Sequence, residues 1–153
     1  MPEAEIKLDN LSKCLEEAYL LYFNTRKDIK LNLIKPENDI YFHFDTLQIS
    51  RCFSNLIKNA IEAVEKIPNP AVEVLMATDA KNIKIEIKDN GVGIDEKMLS
   101  KIFEPYFTTK TKGTGLGLSI VKRIIEDHGG KIKIEKNKNM AGTKSLINFE
   151  YNA

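Results

Sequence analysis

The chain has 153 residues, 42% of them hydrophobic, a length and composition suited to one domain with a single core. Its 23 Lys and Arg against 22 Asp and Glu leave a net charge of +1, so no overall field draws it to nucleic acid or to an acidic membrane surface. The charge is uneven, with 8 basic and 11 acidic groups in residues 1–65 but 15 and 11 in residues 66–153, which makes the second half the side suited to an anionic ligand.

Leu11, Leu15, Ala18, Leu21 and Tyr22 recur at helical spacing between Asp9 and Arg26. Ile29, Leu31 and Leu33 then alternate as a strand, Pro36–Asp39 breaks it, and Ile40–Phe44 reads as its hairpin partner. Asp45 with Gln48 opens a second helix, whose stripe of Ile49, Phe53, Leu56, Ile57, Ala60 and Val64 runs to about Lys66 before Pro68 and Pro70. Cys14 and Cys52 fall inside these two apolar patterns and read as small core residues of a reducing compartment. Val72–Met76 and Ile83–Ile87 alternate on either side of the turn Asp79–Asn82, a second hairpin. A short helical stretch over 95–102 and a Thr- and Lys-rich segment, Pro105–Gly113, read as a mobile loop, lead to a helix over Thr114–His128 stopped by Gly129-Gly130. Strands at 131–135 and 143–151 end the chain, around a turn near Asn137–Gly142.

This order predicts an α+β fold in which three helices cover one face of a mixed sheet. No basic-then-apolar leader opens the chain, and no apolar run reaches the ~18–20 residues of a membrane span. A soluble, cytoplasmic chain is expected, either a small natural protein or a piece of a longer one.

Three clusters carry chemistry. Asn55 and Asn59, four apart, share a helix face at the edge of the apolar stripe, where a neutral amide oxygen can complete the shell of a Mg²⁺ otherwise held by phosphates and water. Asp89-Asn90-Gly91-Val92-Gly93-Ile94 follows a strand; its carboxylate can accept an adenine amino group, and its glycines admit a flat ring. Gly113-Thr114-Gly115-Leu116-Gly117 opens a helix, and alternate glycines there aim N–H groups and a helix dipole at an anion, with Lys110 and Lys112 beside them. Taken singly, these also read as solvated asparagines, an Asn-Gly turn and a glycine-rich helix start.

Joined in order with Phe103-Glu104-Pro105-Tyr106-Phe107-Thr108-Thr109-Lys110, they resemble the ATP-binding domain of sensor histidine kinases. That domain is of the Bergerat type, a two-layer α/β sandwich shared with gyrase B, heat-shock chaperone ATPases and mismatch-repair ATPases. The resemblance spans about residues 28–151, and Ile102–Ile120 is particularly similar to nitrogen-regulation and sporulation kinases. It implies a single catalytic domain over residues 1–153 that uses ATP and Mg²⁺, without the dimerisation, phosphoacceptor and sensor domains. It further implies that Asn59 ligates the metal and that Asn55, Asn59 and Lys110 are catalytic. Asp89, Gly91, Gly93 and Ile94 would receive adenine, with Thr143 nearby. Phe103 would anchor a lid, and Gly113, Thr114, Gly115, Leu116 and Gly117 would close on the phosphates. Implied partners are a separate histidine-bearing dimerisation domain and a response regulator, with no nucleic acid and no membrane contact.

Two positions depart from the pattern: Glu62 and Ala63 stand where many of these kinases carry a Lys and an aromatic residue. Hydrolysing relatives and anti-sigma-factor serine kinases place a Glu general base at the position of Asn55, which cannot take a proton at neutral pH. A neutral imidazole needs no such base, so Asn55 favours transfer to histidine over those alternatives, or over a nucleotide-responsive module that transfers nothing. Neither His43, in a strand pattern, nor His128, before Gly129-Gly130, has the helical context of a phosphoacceptor.

Overall fold

The computed structural model describes residues 3–105, 107, 117–138 and 141–151. In chain order the elements are β1 (Lys7–Asn10), α1 (Leu11–Phe23), β2 (Lys30–Ile34), β3 (Tyr41–Phe44), α2 (Thr46–Val64), β4 (Ala71–Thr78), β5 (Asn82–Asp89), α3 (Glu96–Leu99), α4 (Gly117–Asp127), β6 (Lys131–Lys136) and β7 (Thr143–Glu150). Period-two alternation makes the sheet two-faced. Val72, Val74 and Met76 of β4, Ile83, Ile85 and Ile87 of β5, and Ile147 and Phe149 of β7 are all buried on one face. The other face carries charge, including Lys88 paired to Glu86 at 3.4 Å and Lys144 to Glu135 at 2.9 Å.

The five strands lie in the order β2-β4-β5-β7-β6, with β2 parallel to β4 and the other neighbours antiparallel. Helix α2 is the central helix: it packs against β4 and β5 below and between α1 and α4 beside it. Its stripe of Ile49, Cys52, Phe53, Leu56, Ile57, Ala60, Ile61 and Val64 is buried throughout. The expected mixed sheet under three helices is what forms.

One pairing differs from expectation. The strands at 29–33 and 40–44 do not make a hairpin. β2 runs parallel to β4, Lys30 opposite Ala71, so that Leu31 and Leu33 join the helix-covered core and α2 lies within the crossover. β3 instead pairs antiparallel with β1, Phe44 opposite Lys7. The chain is drawn there at Ile40, whose carbonyl accepts Leu11 N–H at 2.8 Å and whose N–H donates to Ser12 Oγ at 2.8 Å. β1 escapes a periodicity reading because its only apolar residue, Leu8, is exposed.

Caps set the helix ends. Asn10 caps α1 by accepting Lys13 N–H at 2.9 Å. Asp45 caps α2 as expected, accepting Gln48 N–H at 3.0 Å, and also takes Glu5 N–H at 2.7 Å. His128 ties the end of α4 to this cap: its Nε2 accepts Asp45 N–H at 3.0 Å, which leaves the proton on Nδ1 to donate to the Ile124 carbonyl at 2.7 Å. The short helix, expected over 95–102, is one turn. The expected loop residues 106 and 108–113 lie outside the described residues, as do Thr114–Leu116 of the expected helix start.

Cys14 and Cys52 are buried thiols pushed up to about 12, chiefly by desolvation, and behave as core residues. Among the described residues no helix is long and apolar enough to cross a membrane. Because Phe53 is fully buried where α2 meets the core, Phe53→Ala is expected to destabilise the fold by ~3–5 kcal/mol. Urea denaturation checks this through the midpoint; an unchanged midpoint would contradict the packing described.

Candidate functional site

The site is organised along one edge of α2. Asn55, Asn59 and Ala63 recur every four residues, all half-buried, so they form a strip beside the core stripe. From Asn55 to Ala63 the helix rises about 12 Å. At the Ala63 end the loop after β5 lies directly on the helix: a Cβ on Gly91 would stand 2.4 Å from the Ala63 carbonyl oxygen. Only glycine permits that approach. At the other end lies the first residue of α4, where a Cβ on Gly117 would sit 3.7 Å from Asn55 Nδ2. One helix edge thus brings together the Asp89 loop, both asparagines and the N-terminus of α4, whose first N–H groups and dipole favour an anion.

Asp89, the last residue of β5, is 5% exposed. Its Oδ1 accepts Gly91 N–H at 2.9 Å and Thr143 N–H at 3.3 Å. Burial pushes its carboxyl above the ordinary carboxylate range, and these two bonds pull back part of the way. Both bonds fall on the same oxygen; among the described residues no donor reaches Oδ2. Such a group is costly to the fold and ready to accept a hydrogen bond from a bound molecule.

The turn between β6 and β7 closes over the same residue. Asn137 Nδ2 donates to the Asp89 carbonyl at 2.6 Å, and Gly142, at φ +110°, packs so tightly that a Cβ there would stand 1.9 Å from that oxygen. An open cavity of about 540 Å³ lies between Val92–Glu96 and this turn, with Gly93, Ile94 and Gly142 in its wall; Asp89, Asn55 and Asn59 are not part of its lining. Thr143 meets Asp89 through its backbone N–H. Phe103 is half-buried beneath Lys122 of α4, whose Nζ stands 5.2 Å from the ring centre, a cation–π contact at the base of the segment that follows. Lys110, Gly113, Thr114, Gly115 and Leu116 lie outside the described residues.

Asn59 offers one neutral carboxamide oxygen, and among the described residues no cluster of three or more His, Cys, Asp or Glu could cage a metal. That donor set fits a hard divalent cation that keeps its waters and takes its other ligands from phosphates.

The family model described as histidine kinase-, DNA gyrase B-, and HSP90-like ATPase matches residues 44–152. The chain belongs to this family. It is 40% identical over 143 residues to Sporulation kinase A of Bacillus subtilis, covering 92% of this chain and 23% of that protein. It is also 40% identical over 96 residues to Nitrogen regulation protein NtrY of Azorhizobium caulinodans, covering 60% of this chain and 12% of the relative. Among solved structures, the nucleotide-free catalytic domain of histidine kinase ThkA superposes with a TM-score of 0.85 at 33% identity, covering 96% of each chain. ThkA in complex with the response regulator protein TrrA superposes at 0.80 and 28% identity, covering 95% of this chain and 42% of that one. The chain spans about a quarter of the length of the first of these curated relatives.

Ala63 and Asn137 are the residues a sequence reading passes over. Ala63 stands out only as a departure from the family pattern, and its part is played by a backbone carbonyl. Asn137 looks like any turn asparagine until the turn is folded back onto Asp89.

Because a proton is held more tightly by Asp89 in the folded chain than in the unfolded one, its ionised form costs stability at neutral pH, and that cost fades as pH falls through the raised pKa. Without nucleotide, Asp89→Asn, whose amide oxygen still accepts both N–H groups, is expected to melt above the parent at neutral pH, with the gap closing in acid. Thermal unfolding across pH checks this; a variant that melts lower at neutral pH would contradict it.

Proposed function

We propose that the chain is the catalytic ATP-binding domain of a two-component sensor histidine kinase, donating the γ-phosphoryl of ATP to a histidine on a separate dimerisation domain, for relay to a response regulator. The observation that carries this reading is the strip of α2 that seats Gly91 at Ala63 and Gly117 at Asn55, with the buried Asp89 carboxylate at the first end. Asp89 Oδ2 accepts the 6-amino group of adenine, and Gly91 and Gly93 admit the ring. The phosphates lie toward Asn55 and the start of α4, with Lys110 and the residues from Gly113 to Gly117 completing their enclosure.

Asn59 would hold Mg²⁺ by its amide oxygen, an ion that offsets phosphate charge when bound. The chain's own part is to orient and to exclude water. Asn55 cannot act as a general base, which disfavours both hydrolysis and transfer to a serine hydroxyl. An incoming imidazole brings its own lone pair. His128 is no acceptor, since both ring nitrogens are engaged inside the fold.

Two measurements test this. Asp89→Asn turns an amide toward the adenine amino group, and with a hydrogen bond to a charged group worth ~1.5–3 kcal/mol, calorimetry should show ATP affinity about 10- to 100-fold lower. Labelled ATP mixed with this chain and a separately produced dimerisation-and-acceptor domain should yield acid-labile label on the acceptor and little on this chain. Acid-stable phosphoserine, or rapid labelling of this chain itself, would contradict the assignment. Intact ATP binding without any transfer would instead leave a nucleotide-responsive binding module.

A further inference from the structure

Recognition of adenine by one carboxylate oxygen demands that Asp89 be held in both position and rotation, and Asp89 sits where regular structure gives out. The β5–β7 ladder stops at Lys88 opposite Lys144, one step before Asp89 would face Thr143. Thr143 N–H turns to the Asp89 side chain, and the Asp89 carbonyl is met by the side chain of Asn137 at 2.6 Å. Asn137 also closes its own turn, its N–H donating to the Gly142 carbonyl at 3.2 Å and its Nδ2 sharing a longer contact of 3.4 Å with the Ala141 carbonyl. Gly142 lies flat against the same Asp89 peptide, closer than any side chain would allow.

From this geometry we infer that Asn137 is a positioning residue for base recognition: it clamps the Asp89 carbonyl from the β6–β7 turn and so fixes the direction in which Asp89 presents Oδ2. The inference rests on the reading that Asp89 accepts from adenine. Asp89 is held at its carbonyl by Asn137 and at its Oδ1 by Gly91 and Thr143, while Asn90 N–H, at the other end of the same peptide, donates to the Ala71 carbonyl at 3.2 Å. With the Asn137 bond released, the peptide between Asp89 and Asn90 keeps only the 3.2 Å bond of Asn90 N–H to the Ala71 carbonyl, and a tilt about that bond carries the carboxylate with it. A hydrogen bond tolerates only a few tenths of an ångström and some tens of degrees before it weakens steeply. Loss of the clamp should therefore be felt by a base that donates to Asp89 and not by the triphosphate, which lies toward the other end of α2.

The test compares ATP with inosine triphosphate, which lacks the 6-amino group, binding by calorimetry to the parent chain, to Asn137→Ala and to Asn137→Asp. The aspartate keeps the shape but replaces the donor with an acceptor. The parent should prefer ATP. Both variants should lose about tenfold in ATP affinity while binding inosine triphosphate within about twofold of the parent. In nucleotide-free samples, amide hydrogen exchange at Gly91 and Thr143 should quicken at least about tenfold, with core amides such as Ile85 unchanged.

Equal losses for both nucleotides, or undisturbed exchange at Gly91 and Thr143, would overturn the proposal and leave Asn137 a turn former. A parent that binds both nucleotides equally would defeat the adenine reading of Asp89 itself. The exchange result would then decide separately whether Asn137 holds that residue. Should Asn137→Ala fail to fold, Asn137→Asp and Asn137→Ser carry the same comparison.

Discussion

A carboxylate removed from water at the end of a strand is an expensive object, and the geometry around Asp89 follows from having to keep one there. Two backbone N–H groups bond one of its oxygens, an asparagine side chain bonds its carbonyl, and the backbones of Gly91 and Gly142 crowd in where side chains cannot fit. These partners come from the loop after β5 and from the β6–β7 turn with the first residue of β7, so the sheet has to be complete before Asp89 is held. Buried groups whose charge is offset only in part are where binding chemistry concentrates, because a ligand can supply what the fold withholds.

Helix α2 converts that local arrangement into an extended site. Its buried stripe anchors it over β4 and β5, the Asp45 cap and His128 fix its first turn to the end of α4, and the parallel pairing of β2 with β4 requires it as a crossover. Once the helix is fixed, Asn55, Asn59 and Ala63 have no freedom of placement. The Asp89 loop and the start of α4 are brought to opposite ends of one rigid edge. Hydrophobic burial on one side of the helix is thereby translated into polar geometry on its flank.

How much of this could be read from the residues varies with how locally each feature is determined. Strict alternation in Val72–Met76 and Ile83–Ile87 predicts the central hairpin, and the helical stripe from Ile49 to Val64 predicts α2, since both depend on burying one face. The pairing of β2 is not legible there, because a run such as Leu31-Asn32-Leu33 specifies a strand but not its neighbour; the core and the bonds at Ile40 make that choice. β1 leaves no periodic signal because its one apolar residue faces solvent. In the site, Asn55, Asn59, Asp89 and the glycines are visible as residue types placed where they are costly. Ala63 and Asn137 are not, because one acts through its carbonyl and the other through a contact made only when the β6–β7 turn folds back.

A base seated against Asp89 and phosphates running toward Asn55 and the start of α4 would meet the neighbouring open cavity only at its Gly93 wall and leave its far side, between Ile94 and Asn137, outside the main contact. These are two distinct places on the molecule, so a structure of the chain with Mg²⁺ and a non-hydrolysable ATP analogue separates them. The adenine 6-amino group is expected within hydrogen-bond distance of Asp89 Oδ2, the phosphates beside Asn55 and the N-terminus of α4, and the metal on Asn59. Adenine lodged in the cavity between Ile94 and Asn137, with Asp89 untouched, would contradict this placement.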